Sequence, residues 1–308
     1  MGHPLISIVI PVRNESHRLI GTIKSILDSR STDCELEIVI VDDASDDGSI
    51  INLPTLANKA IIRVFRLDKR VGVPSARNYG TSLAHGDIIF MTDSHVRFSQ
   101  GWDRYVLNNI ADNRIIAATI CDTASDFKGY GCRLVVPYMG TWWNTAPPGE
   151  NPPFVQIASC AGTVLTKTLF DRIGGYDPGM ILYGGAEPEF SLRAWLSGAE
   201  IVSVPSLEVF HRFKTQPEVD FFLKGLRPKM IHNNLRFGFL YLSELASLQM
   251  IRHFAMSYPD QIQEGIKLFE GSDVWKRKAF LKKSLRYDFE WFVLQFHLKN
   301  QIDQKILL

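Results

Sequence analysis

Residues 5–11 read Leu5-Ile6-Ser7-Ile8-Val9-Ile10-Pro11. A near-continuous apolar run of this kind suits a strand covered on both faces, as in a parallel sheet. Working outward, residues 16–29 put Leu19, Ile20, Ile23, Ile26 and Leu27 on one helical face. Glu37-Ile38-Val39-Ile40-Val41 is a second buried strand, stopped by Asp42-Asp43, and Asp46-Asp47-Gly48-Ser49 is turn chemistry. Residues 61–65 read as a third strand. Val73-Pro74-Ser75 opens a helix to about residue 84, with Pro near its first turn, and residues 88–91 read as a fourth strand. Strands alternating with helices predict an α/β fold with a parallel sheet and crossover helices. Ligands of such sheets bind beyond the carboxyl ends of the strands, where Asp42, Asp43 and Asp93 fall.

The fourth strand runs into Thr92-Asp93-Ser94-His95. A carboxylate and an imidazole two residues apart at a strand end can reach one divalent cation, which would hold a phosphate. The same residues can instead form a turn in which Asp93 and Ser94 cap the next helix, and this segment alone leaves both readings open. The 308 residues suffice for one large α/β domain with an appendage, or for two domains. A hydrophobic content of 45% and a charged content of 22% suit a globular protein with a substantial core. The net charge of +1 gives no argument for nucleic acid as a partner. The charge is uneven, with 16 Lys+Arg against 10 Asp+Glu in residues 212–308. An acidic front and a basic tail suit a site that gathers metal and phosphate and closes over them; solvated helix faces explain the same counts. Cys34, Cys121, Cys132 and Cys160 form no Cys-x-x-Cys pair, so free thiols in a reducing compartment are expected. No signal peptide is seen and no stretch reaches the ~20 apolar residues of a membrane span. A cytoplasmic protein is the expectation, with room for peripheral membrane contact.

Four segments in order carry a resemblance. They are residues 7–15 (Ser7 to Glu15, through Pro11, Val12, Arg13), residues 41–49 (Val41-Asp42-Asp43 onward), Gly72-Val73-Pro74-Ser75-Ala76-Arg77-Asn78, and residues 87–93. Together they resemble nucleotide-sugar glycosyltransferases of the GT-A fold, family 2 type. The resemblance implies a mixed, mostly parallel sheet flanked by helices and a UDP-sugar donor. It implies that Asp43 meets the uracil edge and that Pro11, Val12, Arg13 and Glu15 line the nucleoside. A carboxylate is a fitting acceptor for the uracil N–H. Gly72, Thr92, Asp93 and Ser94 fall on the same donor side. Arg77, near the start of its helix, is expected to face the diphosphate together with the helix N-terminus.

The second half sharpens the resemblance. Gly174-Gly175-Tyr176-Asp177-Pro178-Gly179 leads into Tyr183-Gly184-Gly185-Ala186-Glu187-Pro188-Glu189, and Val209-Phe210-His211-Arg212-Phe213 follows. This is similar to the catalytic core of polypeptide N-acetylgalactosaminyltransferases, over about residues 5–215. In that family the matching positions, Asp93, His95 and His211, ligate manganese. Two imidazoles and a carboxylate leave coordination positions open, and imidazole favours Mn²⁺ over Mg²⁺. The family carries Glu-Asn after the paired glycines, whereas this chain has Ala186-Glu187. Inverting family 2 enzymes place a catalytic carboxylate at this point. Glu187 is therefore expected to be the base of an inverting transfer; retention, as in the polypeptide transferases, is the alternative. Glu189 reads as a structural carboxylate or a contact to acceptor or sugar. Tyr183, Gly184 and Gly185 allow close approach to the sugar. Trp142 and Trp143 sit in a Gly/Pro-rich segment, residues 129–153, that reads either as an active-site loop with aromatics for a sugar face or as a long packed connection.

The expected organisation is a catalytic domain over residues 1–214, with a nucleotide half (1–98) and an acceptor and metal half (99–214). A mainly helical extension follows over residues 215–308, with Pro228 and Pro259 as breaks. Its basic and aromatic residues, among them Phe221, Lys224, Arg227 and Phe237, fit an interfacial helix, a lid, an acceptor surface, a dimer contact, or packing onto the catalytic part. The acceptor stays open among peptide, glycan and glycolipid, at a hydroxyl or a thiol. Two other classes remain. A nucleotidyltransferase would carry a Gly-rich basic loop after the first strand, where Arg13-Asn14-Glu15 stands instead. A non-catalytic nucleotide-sugar sensor or scaffold would bind without turnover.

Overall fold

In the computed structural model, which describes residues 4–32, 34–50, 53, 60–159 and 161–299, the first apolar run is β1 (Leu5–Val12), buried from Ile6 to Val12. Then come α1 (His17–Asp28), β2 (Glu35–Asp42), β3 (Ile61–Arg66), α2 (Val73–Leu83) and β4 (Ile88–Met91). The next elements are β5 (Val96–Phe98), α3 (Trp102–Asn109), β6 (Arg114–Asp122), β7 (Lys128–Tyr130), β8 (Cys132–Val135) and β9 (Gly140–Trp143). β10 (Thr163–Thr166), α4 (Lys167–Ile173), α5 (Ala186–Leu196) and β11 (Glu200–His211) complete this part. Among the described residues nine strands form one sheet in the order β3-β2-β1-β4-β10-β6-β11-β5, with β7 on β6. β3, β2, β1 and β4 are parallel. β10 runs antiparallel to β4 and β6, and β5 antiparallel to β11, so the sheet is mixed. β1 shows why its run had to be apolar: Ile6, Ile8 and Ile10 join Leu19, Ile23 and Trp102 in the core on one face. Val9 joins Phe190 and Trp195 on the other.

The Gly/Pro-rich segment is less of a loop than its composition suggests. β8 and β9 pair as a short antiparallel hairpin, and β7 adds to the main sheet. The extension comprises α6 (Gln216–Leu223), α7 (Arg227–Tyr241), α8 (Glu244–Ser257), α9 (Ile262–Glu270), α10 (Val274–Ser284) and α11 (Phe289–Gln295). Pro228 stands in the first turn of α7, where its missing N–H costs nothing, and Pro259 falls between α8 and α9. Ile231, Leu235, Phe237 and Phe292 belong to the same core as Phe190 and Trp195. The tail aromatics thus mostly pack inward, Phe239 lying against Phe269 and Trp275; Phe221, 84% exposed, does not. No described helix is long and apolar enough to cross a membrane. Cys34, Cys121 and Cys132 are buried and free, and burial pushes the thiols of Cys121 and Cys132 up to about 11 and about 12. Cys160 lies outside the described residues.

Candidate active site and metal centre

Three strand ends bring the chemistry together. Asp93 follows β4, His95 precedes β5, and His211 ends β11, the strand that pairs with β5 at Val96. One donor atom from each of Asp93, His95 and His211 lies within 4.8 Å of the others. The Nε2 atoms of the two imidazoles face each other at 3.2 Å, and His211 Nε2 stands 3.4 Å from Asp93 Oδ2. Ligands held at right angles about 2.1 Å from one ion are about 3 Å apart, so this spacing fits a divalent cation bound on one face. His95 Nδ1 lies 3.1 Å from Glu15 Oε1. Donating Nδ1–H to that carboxylate fixes the tautomer and turns the Nε2 lone pair toward His211, the usual outer support of a ligating histidine. Glu15, expected at the nucleoside, therefore stands behind a metal-type imidazole. Glu15→Ala is expected to weaken Mn²⁺ binding about 10–100-fold, readable by calorimetric titration of Mn²⁺; an unchanged affinity would remove Glu15 from the site.

Arg77 ties this cluster to Glu187. Its guanidinium is fully buried and donates to Asp93 Oδ1 at 2.8 Å and Glu187 Oε1 at 2.9 Å. Burial works to raise the Asp93 pKa. The His211 hydrogen bond and the Arg77, His211 and His95 charges outweigh it and hold this carboxyl well below the usual carboxylate range. The shift favours the carboxylate form, which binding a cation would require. Glu187 stands in the first turn of α5, whose N-cap Gly185 is left-handed at φ 76°.

The remaining expected residues divide by what they touch. Asp43 accepts from the backbone N–H groups of Val71 (2.6 Å) and Gly72 (2.9 Å), docking the approach to α2. Gly72 has φ 90°, and a Cβ there would meet the Leu182 backbone at 2.2 Å, so only glycine fits. Arg13 donates to the carbonyls of Asp43 and Ala44, both at 2.6 Å, at the ends of β1 and β2 beside Pro11 and Val12. Thr92 is buried on the Ala161 carbonyl (2.7 Å), and the Ser94 carbonyl accepts from Thr22 (2.9 Å). Glu189 is fully buried, forked to Arg193 at 2.8 Å and accepting from the Tyr241 hydroxyl at 2.7 Å. Trp143 packs with Phe127 and Phe213, and Phe213 lies edge-on to His211. Trp142 is 44% exposed over Arg133, on the hairpin. Tyr183 is half-exposed, edge-on to Phe222 of α6.

Two residues escaped the sequence reading. Arg70 stands near Asp43 and Arg13; burial and the Arg13 charge lower its pKa while Asp43 raises it. The run Lys69-Arg70 just before Gly72 was a usable signal for it. Asn233 of α7, fully buried, holds the loop before Glu187, and nothing in the run His232-Asn233-Asn234 says which of its polar side chains faces inward. A cavity of about 520 Å³ lies apart from the metal-type cluster, between the loop at Gly179 and Ile181 and α9.

The architecture has known counterparts. The chain is 25% identical to "Probable N-acetylgalactosaminyltransferase 6" of Caenorhabditis elegans, over 94% of this chain and 49% of that protein. It is 26% identical to "Polypeptide N-acetylgalactosaminyltransferase 11" of Xenopus tropicalis, over 97% of this chain and 51% of that protein. The chain thus spans about half the length of the curated relatives it matches, and the similarity runs into the C-terminal helices. Its fold is that of GalNAc-T7 crystallised with UDP, GalNAc and Mn²⁺, at TM-score 0.74 and 20% identity over 96% of this chain and 57% of that one. It also matches S. aureus TarS at TM-score 0.57 and 15% identity, over 84% of this chain and 45% of that one. The family model "Glycosyl transferase family 2" matches residues 7–162, just over half of the chain, and the protein belongs to that family.

Proposed function

We propose that this protein transfers a sugar from a UDP-sugar to an acceptor hydroxyl or thiol, with a divalent cation, Mn²⁺ before Mg²⁺, at Asp93, His95 and His211. The observation that carries the reading is the convergence of those three side chains with Glu187, joined to Asp93 through buried Arg77. The relatives named above, and GalNAc-T7 with its UDP and Mn²⁺, support the donor and the metal. A cation held by Asp93, His95 and His211 would supply positive charge against the departing diphosphate. Asp43 has lone pairs left for a uracil N–H beyond those used by Val71 and Gly72. Glu187 takes the acceptor proton as the acceptor oxygen or sulfur bonds to the anomeric carbon. The bond from that carbon to the diphosphate oxygen breaks, and its electron pair leaves with UDP. Attack from the face opposite UDP inverts the anomeric centre. Arg77, itself fully buried, holds Glu187 and Asp93 at a fixed separation.

The acceptor is a peptide, a glycan or a lipid-linked glycan. The relatives favour peptide, while the change to Glu187 argues against copying their stereochemistry. The test is UDP release from UDP-N-acetylhexosamines and UDP-hexoses with Mn²⁺ across peptide and glycan acceptors. Acceptor-dependent UDP release that stops on chelation is the expected result. Pyrophosphate release from a nucleoside triphosphate would favour a nucleotidyltransferase, and Mn²⁺-dependent binding without turnover a sensor.

A further inference from the structure

The loop that delivers Glu187 is hydrogen-bonded along its backbone by a side chain of the C-terminal extension, Asn233. Asn233 is fully buried in α7. Its carboxamide oxygen accepts from Ile181 N–H at 2.8 Å. Its amide nitrogen donates among the carbonyls of Ile181 (2.9 Å), Tyr183 (3.1 Å) and Gly184 (2.8 Å). The backbone of this stretch is unusual. Leu182, Gly184 and Gly185 all have left-handed backbones, at φ 53°, 90° and 76°, a conformation that costs a non-glycine residue such as Leu182 about 1–2 kcal/mol. Its opposite side docks on the start of α2, where Val73 N–H donates to the Leu182 carbonyl at 3.0 Å. The loop is clamped between α2, which carries Arg77, and α7, which carries Asn233. It leads through N-cap Gly185 directly to Glu187, which Arg77 holds from the other direction.

We infer that Asn233 is a positioning residue for Glu187: it fixes the Ile181–Gly185 backbone and thereby the distance of the base from the acceptor. The inference rests on the glycosyl-transfer reading above. Its claim is that the extension serves the chemical step and not donor binding, since Asn233 makes no hydrogen bond to Asp43, Asp93, His95 or His211. A base displaced by about 1 Å costs about 100-fold in rate.

The test uses Asn233→Asp in the full chain, which keeps the side-chain volume and the bond from Ile181 N–H but sets a carboxylate oxygen against the three carbonyls. Expected are a kcat about 10–100-fold lower and a UDP affinity with Mn²⁺ within about 2-fold of the parent. In a Glu187→Gln background the same substitution is expected to cost less than about 3-fold, because residues acting through one group are not additive. A folded Asn233→Asp with unchanged kcat would overturn the inference. So would a loss that persists in full in the Glu187→Gln background, or a UDP affinity that falls in step with kcat. Should Asn233→Asp not fold, as circular dichroism would show, Asn233→Ser is read by the same three outcomes. Failure of the parent protein itself to bind UDP with Mn²⁺ would strike the glycosyl-transfer reading instead, so the two failures are distinguishable.

Discussion

His211→Ala is expected to lower Mn²⁺-dependent UDP binding by more than about 100-fold, beyond the range of a change in an outer supporting group. The reason is geometric. His211 Nε2 is the donor that comes close to both of the others, at 3.2 Å from His95 Nε2 and 3.4 Å from Asp93 Oδ2. Without it a carboxylate and one imidazole remain, and Asp93 is still engaged by Arg77. The His211 ring also lies against Phe213 at 4.6 Å between centroids, so some packing is lost with it. His211→Gln retains more of that contact and is expected to show the same binding defect with a smaller change in melting temperature. Calorimetric titration of UDP, with and without Mn²⁺, reads the effect. Equal Mn²⁺-dependent affinity in parent and variant would end the metal assignment.

Glu187→Gln is expected to lower transfer about 10²–10⁴-fold, the usual contribution of a positioned general base, and to leave UDP binding with Mn²⁺ close to the parent value. An amide cannot take the acceptor proton. Its carbonyl oxygen can still accept from Arg77, so the contact seen at 2.9 Å and the start of α5 are retained. This separates proton transfer from scaffolding, which a truncation to Ala would mix. The anomeric configuration of the product, followed by NMR from the start of turnover, is expected to be opposite to that of the donor. A retained configuration, together with Glu187→Gln turnover within a few-fold of the parent, would move the protein to the mechanism of the enzymes that lack a carboxylate here.

The parts of the fold that could be read in the sequence are those whose burial leaves a period. β1, β2 and β4 are covered on both faces and had to be continuous apolar runs, and α1 shows one apolar stripe. β11 had no such clarity. Pro205 lies inside it, and its pairing with β6 shifts register between Val204 and Glu208. Only its last residues drew notice, through Val209-Phe210-His211. The hairpin of β8 and β9 has four residues per strand, too few for alternation to outweigh the Gly and Pro around it. The site divides in the same way. Asp93 and His95 are neighbours in sequence, and His211 has a recognisable context. Arg77 was expected to face the diphosphate; that it bridges Asp93 and Glu187, 110 residues from the latter, is a tertiary fact no local spacing encodes. Tyr241 meeting Glu189 from 52 residues away is another.

The core shared between the sheet and the late helices limits how this chain can be recombined with its relatives. Trp195 of α5 packs against Trp291 of α11, and it shares one core with residues of α7, so a crossover at the end of β11 would join an apolar floor to a foreign cover. A chimera that exchanges residues 174–299 as one block carries loop, floor and cover together. Grafting from a relative is therefore a matter of moving that block whole, with β1 to β4 left in place.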